Sequence, residues 1–553
     1  MLYTFPMGKT KKNLLLIALP LMGLTLSSCT IFDLIFSSKS SEKDWESDIF
    51  DGTSIDFDRT EVAPGLYKPN DFYKVSSRDL GYNRGMDLAP STGDVNVLVL
   101  PIEFTDFPFS PSTLSNLETA LNGNGSEDTG YWESLSSFYR KSSFGQLRLD
   151  FHVADVFKTG LTTTSALRDN LEYETLNQSE NINGQKWIND AVKSYSDARH
   201  PLTDFDSDND GIIDAVIAVY SCPNYTNRSY YYTYKNKSYL DGKTGSSLFW
   251  AFTYWCANSG DLANPKANTY VWLSYDFFLS SDGRPDPHTA IHEYGHAMGL
   301  DDYYSNEETF QPAGGIDMMD MNIVDHDVYS KAALGWVVPE VVDGDDVTVS
   351  LKPSQESGQC ILIPPENYNG TLWDEYVLIE LYTPDGLNEH DSLHVYSGRP
   401  RGYTIPGLKI YHIDSRILEF KLSSNFQSVV STRYVRDVNS INPTSMDSYF
   451  MVGATNCSKE FNASQISPSN KSYSSDFSLI HLIEATGVNT FSMGKFGTNL
   501  TLFTEGSSFS LERYGNAFFP RGDKLNGGSA FPYTVSVDAL NSAGATLHIT
   551  KAQ

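Results

Sequence analysis

Hydrophobic and polar positions change period several times along the chain, and each period predicts a different element. Val95 to Leu100 (VNVLVL) is a short apolar run closed by Pro101, the pattern of a buried strand. Tyr131, Trp132, Leu135, Phe138 and Tyr139 recur at helical spacing, and Gly145 ends that element. Leu147, Leu149, Phe151 and Val153 alternate strictly, as on a strand with one buried face. Trp187, Ile188, Ala191, Val192 and Tyr195 predict a second amphipathic helix, and Ala215 to Tyr220 a second buried strand. A third helix is predicted after Asp286-Pro287, which supplies an N-cap followed by proline at the first helical position. Ala290, Ile291, Ala297 and Met298 give it apolar surface, and Gly299 stops it. Strands alternating with helices predict an α/β layout, with a mixed sheet lying over this last helix.

After Pro339 the pattern changes. Val347 to Leu351, Tyr376 to Leu381, Leu408 to Ile413, Phe477 to Ile483, Leu500 to Phe503 and Tyr533 to Val537 read as short strands punctuated by Gly, Asn and Ser. That is the pattern of a β-sandwich-like C-terminal region, with residues 438–476 as a long Ser- and Asn-rich excursion.

The helix that ends at Gly299 carries the chemistry. Its sequence includes His292-Glu293-Tyr294-Gly295-His296. Imidazoles four residues apart on a helix share one face, about one turn (~5.4 Å) apart, so both can hold one metal ion. Nitrogen ligands in this arrangement suit Zn²⁺. Glu293 follows the first His and reaches a water at the metal without ligating it, the position of the general base in H-E-x-x-H sites. The full string is H-E-x-x-H-x-x-G-x-x-D, ending at Asp302. Metzincins place their third ligand, a His, at that last offset, and a carboxylate is also a zinc ligand. Asp301 is adjacent and equally acidic. Downstream, GGIDMMD (314–320) holds Met319, the candidate for a methionine turn, and HDVYSKAALGW (326–336) reads as a short helix.

A second acidic motif, Asp206-Ser207-Asp208-Asn209-Asp210-Gly211-Ile212-Ile213-Asp214, has the form D-x-D-x-D-G-x-x-D. Alternating carboxylates with glycine at the sixth position let a loop wrap Ca²⁺. Asp206, Asp208, Asp210 and Asp214 are the expected ligands, with the Ile212 carbonyl as a further one. The twelfth position is Ile217 where an EF-hand has Glu, so the expected role is structural. The other reading is an acidic surface turn. Aromatics from Tyr225 to Tyr239 and at Trp250, Phe252, Tyr254 and Trp255 either pack or line a cleft.

The N-terminus reads as a targeting segment. Lys9, Lys11 and Lys12 precede an apolar run from Asn13 to Leu26 that is short of the ~20 residues of a membrane span. Leu26-Ser27-Ser28-Cys29 matches a bacterial lipobox, so Cys29 is the expected lipidation site, tethering the protein to the outer face of a membrane. Residues 1–28 are then a signal peptide and 29–60 a flexible tether. A net charge of −29 argues against nucleic acid as a partner. Cys222, Cys256, Cys360 and Cys457 allow either two disulfides or four buried thiols.

HEYGHAMGLDDYY, GGIDMMD and HDVYSKAALGW, together with VNVLVLPIEFTDFPF, YWESLSSFYRKSSFGQLRL, DFDSDNDGIIDAVIAVY and GLKIYHIDSRI, resemble the immune inhibitor A family of secreted bacterial metallopeptidases. These landmarks run in the family's order across roughly residues 93–415. The resemblance implies zinc-dependent hydrolysis of protein substrates by a zincin-type catalytic domain, placed at 61–340; the strand pattern makes 341–553 the β-rich region, which resembles the family only loosely. It carries over His292 and His296 as zinc ligands, Glu293 as the base and Asp302 as the third ligand. The family string usually has proline where this chain has Asp301. Some metzincins place a tyrosine two residues after the turn methionine, where this chain has Met321, leaving Tyr303 and Tyr329 as candidates for that role. The alternative expectation is a surface lipoprotein, an adhesin or binding module whose peptidase domain is vestigial.

Overall fold

Five strands of the N-terminal half form one sheet in the order Phe252–Trp255, Thr269–Ser274, Val216–Tyr220, Gly93–Glu103 and Leu147–Val153. The strand Phe157–Lys158 also pairs with Gly93–Glu103. All these neighbours run parallel except Phe252–Trp255, an antiparallel strand at the end of the sheet. This is a computed structural model. It describes residues 55–552 apart from 84–85, 130, 168–183, 226–232, 235–236, 239–247, 257, 306–309, 397, 423–428, 443–447 and 457–476. The lipobox with Cys29, most of the tether, most of the Tyr225–Tyr239 stretch, Cys457 and the end of the 438–476 excursion lie outside the described residues.

Local pattern explains these strands. Val216–Tyr220 is buried at every position, as a central parallel strand must be, because both its faces are covered. Leu147, Leu149 and Phe151 point inward while Arg148, Asp150 and His152 face solvent, the strict alternation expected of them. The helix Gln185–Asp197 buries Trp187, Ile188, Ala191 and Val192 on one stripe. They join a core that includes Leu98, Leu100, Ile102, Ala218, Tyr220 and Trp272. The first predicted helix runs over Leu135–Ser142, so Tyr131 and Trp132 precede it and do not form its first turn. Phe252, Trp255 and Tyr225 pack against this core and Tyr254 lies within it, which makes these aromatics packing residues.

Contacts divide the described chain into two units, one of residues 86–140 and 147–298, the other of 55–83, 141–146 and 299–552. The second unit therefore does not begin at 341. The strands Arg59–Ala63 and Leu66–Pro69 lie in its seven-stranded sheet, whose order continues through Glu340–Val342, Ile361–Ile363, Glu375–Tyr382, Gly407–Asp414 and Ile480–Leu482. A four-stranded sheet is ordered Asp346–Leu351, Gly544–Lys551, Tyr533–Asn541 and Ser508–Ser510. Val347, Val349 and Leu351 from this sheet share one core with Val377, Ile379 and Leu381 from the larger one. The molecule is thus mixed α/β, with several sheets. Two expected strands differ. Leu500 sits in a 3-10 turn, Asn499–Thr501, and Phe503 forms only an isolated bridge to Leu408. The Phe477–Ile483 strand shortens to Ile480–Leu482. Among the described residues, no helix is long and apolar enough to cross a membrane. Cys222, Cys256 and Cys360 are buried. Burial pushes the Cys256 thiol up to about 12, which keeps it protonated and inert.

Candidate metal centre

The helix with the two histidines runs from His288 to Ala297. It begins one residue later than expected. Pro287 occupies the N-cap, where it offers no side-chain acceptor, and Asp286 instead accepts from the His288 N–H at 3.4 Å. The helix packs on the strands Phe252–Trp255 and Thr269–Ser274. Ala290, Ile291, Tyr294 and Ala297 are buried, with the Tyr294 ring against Tyr139 and Phe151 at 5.4 and 6.3 Å between centroids. Two bonds fix the helix along its length: the Tyr139 hydroxyl donates to the Ile291 carbonyl at 2.6 Å, and the Ala89 N–H to the Ala297 carbonyl at 2.8 Å. Met298 caps the C-terminus with its N–H on the Tyr294 and Gly295 carbonyls. Gly299 then takes φ +104°, a conformation in which a side chain would be strained, and the chain turns as the glycine predicted.

His292 is buried and His296 half-buried. Their Nε2 atoms are 3.1 Å apart, with ring planes at 87°. Two nitrogens at ~2.05 Å from one tetrahedral ion would be separated by about 3.3 Å, so the pair fits a shared metal. His292 and His296 therefore offer two nitrogens to one metal ion, and Asp302 follows six residues after His296, just past the turn.

Glu293 is 7% exposed. Thr253, on the end strand of the sheet, holds it from the side. Its hydroxyl donates to the Glu293 carbonyl at 2.7 Å and lies 3.3 Å from Glu293 Oε2. Sequence reasoning passed over Thr253, since nothing in a lone threonine among aromatics marks it. It also missed the buried pair in front of the first ligand. Asp286 and His288 are fully buried, their Oδ1 and Nδ1 in direct contact, and His288 stacks on Trp132 at 3.7 Å with planes 9° apart. The Asp-Pro-His sequence at the helix start was the available signal.

Asp301 and Asp302 have different surroundings. Asp301 lies close enough to Tyr329 to add to the burial that pushes its phenol up. Asp302 adds in the same way to Asp320, a carboxyl pushed up to about 7 chiefly by burial. The residue after Asp302 is tied to the methionine segment, because the Tyr303 N–H donates to the Met319 carbonyl at 2.8 Å. Met319 is fully buried in the short helix Met318–Met321, whose N-cap Asp317 accepts from the Met319 N–H at 2.8 Å. Tyr303 and Tyr329 are both buried, and the Tyr303 hydroxyl is engaged with Ser330 Oγ at 2.9 Å. The helix expected near 326–336 spans Val328–Ala333, with Asp327 as its N-cap on the Ser330 N–H.

In the acidic loop, Asp206, Asp208 and Asp210 bring ligand atoms within 4.8 Å of one another. Asp214 is not part of that group. Asp214 Oδ2 accepts from the Ser207 N–H at 2.9 Å, and Ile212 lies in a short strand, Ile212–Ile213, parallel to Lys266–Ala267. The carboxylates also serve the loop itself. Asp206 accepts from the N–H groups of Asp210 and Gly211, both at 3.0 Å, and Asp210 from that of Ile212 at 2.7 Å. Gly211 has φ +86°, and the backbone of Asp261 lies where a side chain would go, so only glycine fits.

No protein-family model matches the chain, and no curated protein matches it.

Proposed function

We propose that the protein is a zinc-dependent endopeptidase of the immune inhibitor A type, lipid-anchored through Cys29 at the outer face of a bacterial membrane. The single observation that carries this reading is the pair of imidazoles, His292 and His296, with Nε2 atoms 3.1 Å apart on one helix that also holds a buried glutamate in the H-E-x-x-H order. His292 and His296 would hold zinc through nitrogen and Asp302 through oxygen. When bound, zinc supplies Lewis-acid polarisation of the scissile carbonyl and lowers the pKa of a water toward ~7. Glu293 takes the proton from the attacking water and delivers it to the leaving amine. Thr253 keeps the Glu293 backbone and carboxylate in place for both transfers.

The strand Phe252–Trp255 gives the reading a substrate path. It is antiparallel, lies at the end of the described sheet and carries Thr253, which touches Glu293. An extended peptide adding to that edge would be held by main-chain hydrogen bonds close to the base. In this proposal the first unit is zincin-type, the paired sheets of the second form a β-sandwich, and the Asp206–Asp214 loop binds Ca²⁺ in a structural role. Elemental analysis for zinc combined with casein digestion tests the function. Zinc together with cleavage supports it, whereas a zinc-free, inactive chain supports the adhesin or binding-module alternative.

A further inference from the structure

In the second unit, a cleft with a cavity of about 40 Å³ opens among Asn367, Asp374, Glu375, Arg416, Tyr434 and Arg436. Its floor is a set of charges already paired. Arg416 grips Asp414 with two parallel bonds, Nε at 2.8 Å and Nη2 at 2.7 Å, and stacks over the Tyr434 ring at 4.6 Å. Glu375 accepts from His412 Nε2 at 2.6 Å and from the N–H groups of Asn526 and Gly527 at 2.5 and 2.6 Å. Two donors remain. Arg416 Nη1 and Asn367 Nδ2 are buried and have no hydrogen-bond partner among the described residues. The Arg416 side chain is 10% exposed. Buried donors left without an acceptor are costly, so both call for an oxygen from outside the fold.

The chemistry narrows that oxygen. The lining sets two carboxyl groups, Asp374 and Glu375, against two guanidinium groups, Arg416 and Arg436, so it is not a cationic patch of the kind that gathers anions. The guanidinium fork that would grip a carboxylate or phosphate in bidentate fashion is filled by Asp414. What is left are single donor edges beside a carboxyl that still has lone pairs, Asp374, whose oxygens each accept one backbone N–H at 2.7 and 2.8 Å. A hydroxyl accepts and donates at once and so satisfies both sides. The cleft is open on one side, so a ring hydroxyl can enter it while the rest of the ligand stays outside. From this we propose that the cleft binds the edge of a neutral saccharide. One ring hydroxyl accepts from Arg416 Nη1 and Asn367 Nδ2 and donates toward Asp374. The site is independent of the proposed peptidase centre.

The test is saturation-transfer NMR on the full chain with glucose, galactose, mannose and N-acetylglucosamine, with acetate and inorganic phosphate as anionic probes. At least one neutral sugar should bind. Asn367→Leu should weaken it about tenfold, the worth of one buried hydrogen bond, with an unchanged melting temperature. If that variant does not fold, Asn367→Asp keeps the side-chain shape without the donor and should weaken binding in the same way. The proposal is overturned if none of the four sugars binds, if only acetate or phosphate binds, or if sugar binding survives loss of the Asn367 donor.

Discussion

The helix His288–Ala297 and the loop Asp206–Asp214 both bring metal-type ligands together, but they do so in opposite ways. On the helix, the spacing of a rigid element sets two imidazole nitrogens 3.1 Å apart, while Thr253 on a neighbouring strand positions the glutamate. In the loop the would-be ligands are also the structure. Asp206 alone accepts two backbone N–H groups, and Asp210 and Asp214 one each. An ion on the helix would bring a new chemical capability. An ion in the loop would add to a turn that its own hydrogen bonds already define. A catalytic centre therefore depends on side-chain identity at single positions, while a structural loop spreads its dependence over many weak contacts.

The largest effect should come from the third ligand. Asp302→Asn should weaken zinc by well over ~100-fold, whereas Asp301→Asn should cost at most the ~10–100-fold typical of a group outside the ligand set. Zinc titration of both variants measures this, and equal losses would erase the distinction between the two carboxylates. Thr253→Val should lower kcat by about tenfold while zinc content stays at the wild-type level, because it loosens the base and not the ligands. Steady-state kinetics beside metal analysis checks it. In the loop, added Ca²⁺ should raise the melting temperature of the wild type by about 1 °C for each ~1 kcal/mol of binding free energy, the scale expected for a chain of this size. The shift should vanish in Asp208→Ala/Asp210→Ala. A wild type that melts identically with and without Ca²⁺ would leave the loop as a self-bonded turn.

The smallest effect concerns a buried carboxyl that belongs to neither group. Asp327 is pushed up to about 6 by burial, with Glu380 adding to it. The unfolded carboxyl loses its proton near ~4, so between about 4 and 6 the folded state binds more protons. This residue's contribution to stability therefore falls as pH rises through that window. Asp327→Asn keeps an acceptor for the Ser330 N–H and should flatten the pH slope of urea unfolding there without altering zinc content.

How much of this was legible in the sequence depends on how local the cause was. The alternation at Leu147, Leu149 and Phe151, the unbroken run at Val216–Tyr220 and the stop at Gly299 act within a few residues, and all appear where expected. The placement of Arg59–Ala63 and Leu66–Pro69 beside Glu340–Val342 was not legible, because pairing over that sequence distance leaves no periodic trace. Leu500 and Phe503 looked like a strand on apolar spacing alone, but the Thr498 side chain bonds the Leu500 N–H and a 3-10 turn forms instead. Within the site, His292, Glu293, His296 and Asp302 follow from one helix and one turn. Thr253 and the Asp286–His288–Trp132 stack depend on the meeting of separate elements, which residue spacing does not encode.

The central claim is that Glu293 does the proton work at a zinc ion held by its neighbours. Replacing it with Gln removes the base and leaves His292, His296 and Asp302 untouched. Purified Glu293→Gln and wild type, compared for bound zinc and for casein cleavage, give the most direct measurement. The account predicts equal zinc, near one ion per chain, with kcat/KM at least ~100-fold lower in the variant. Cleavage by the variant near the wild-type rate would contradict it.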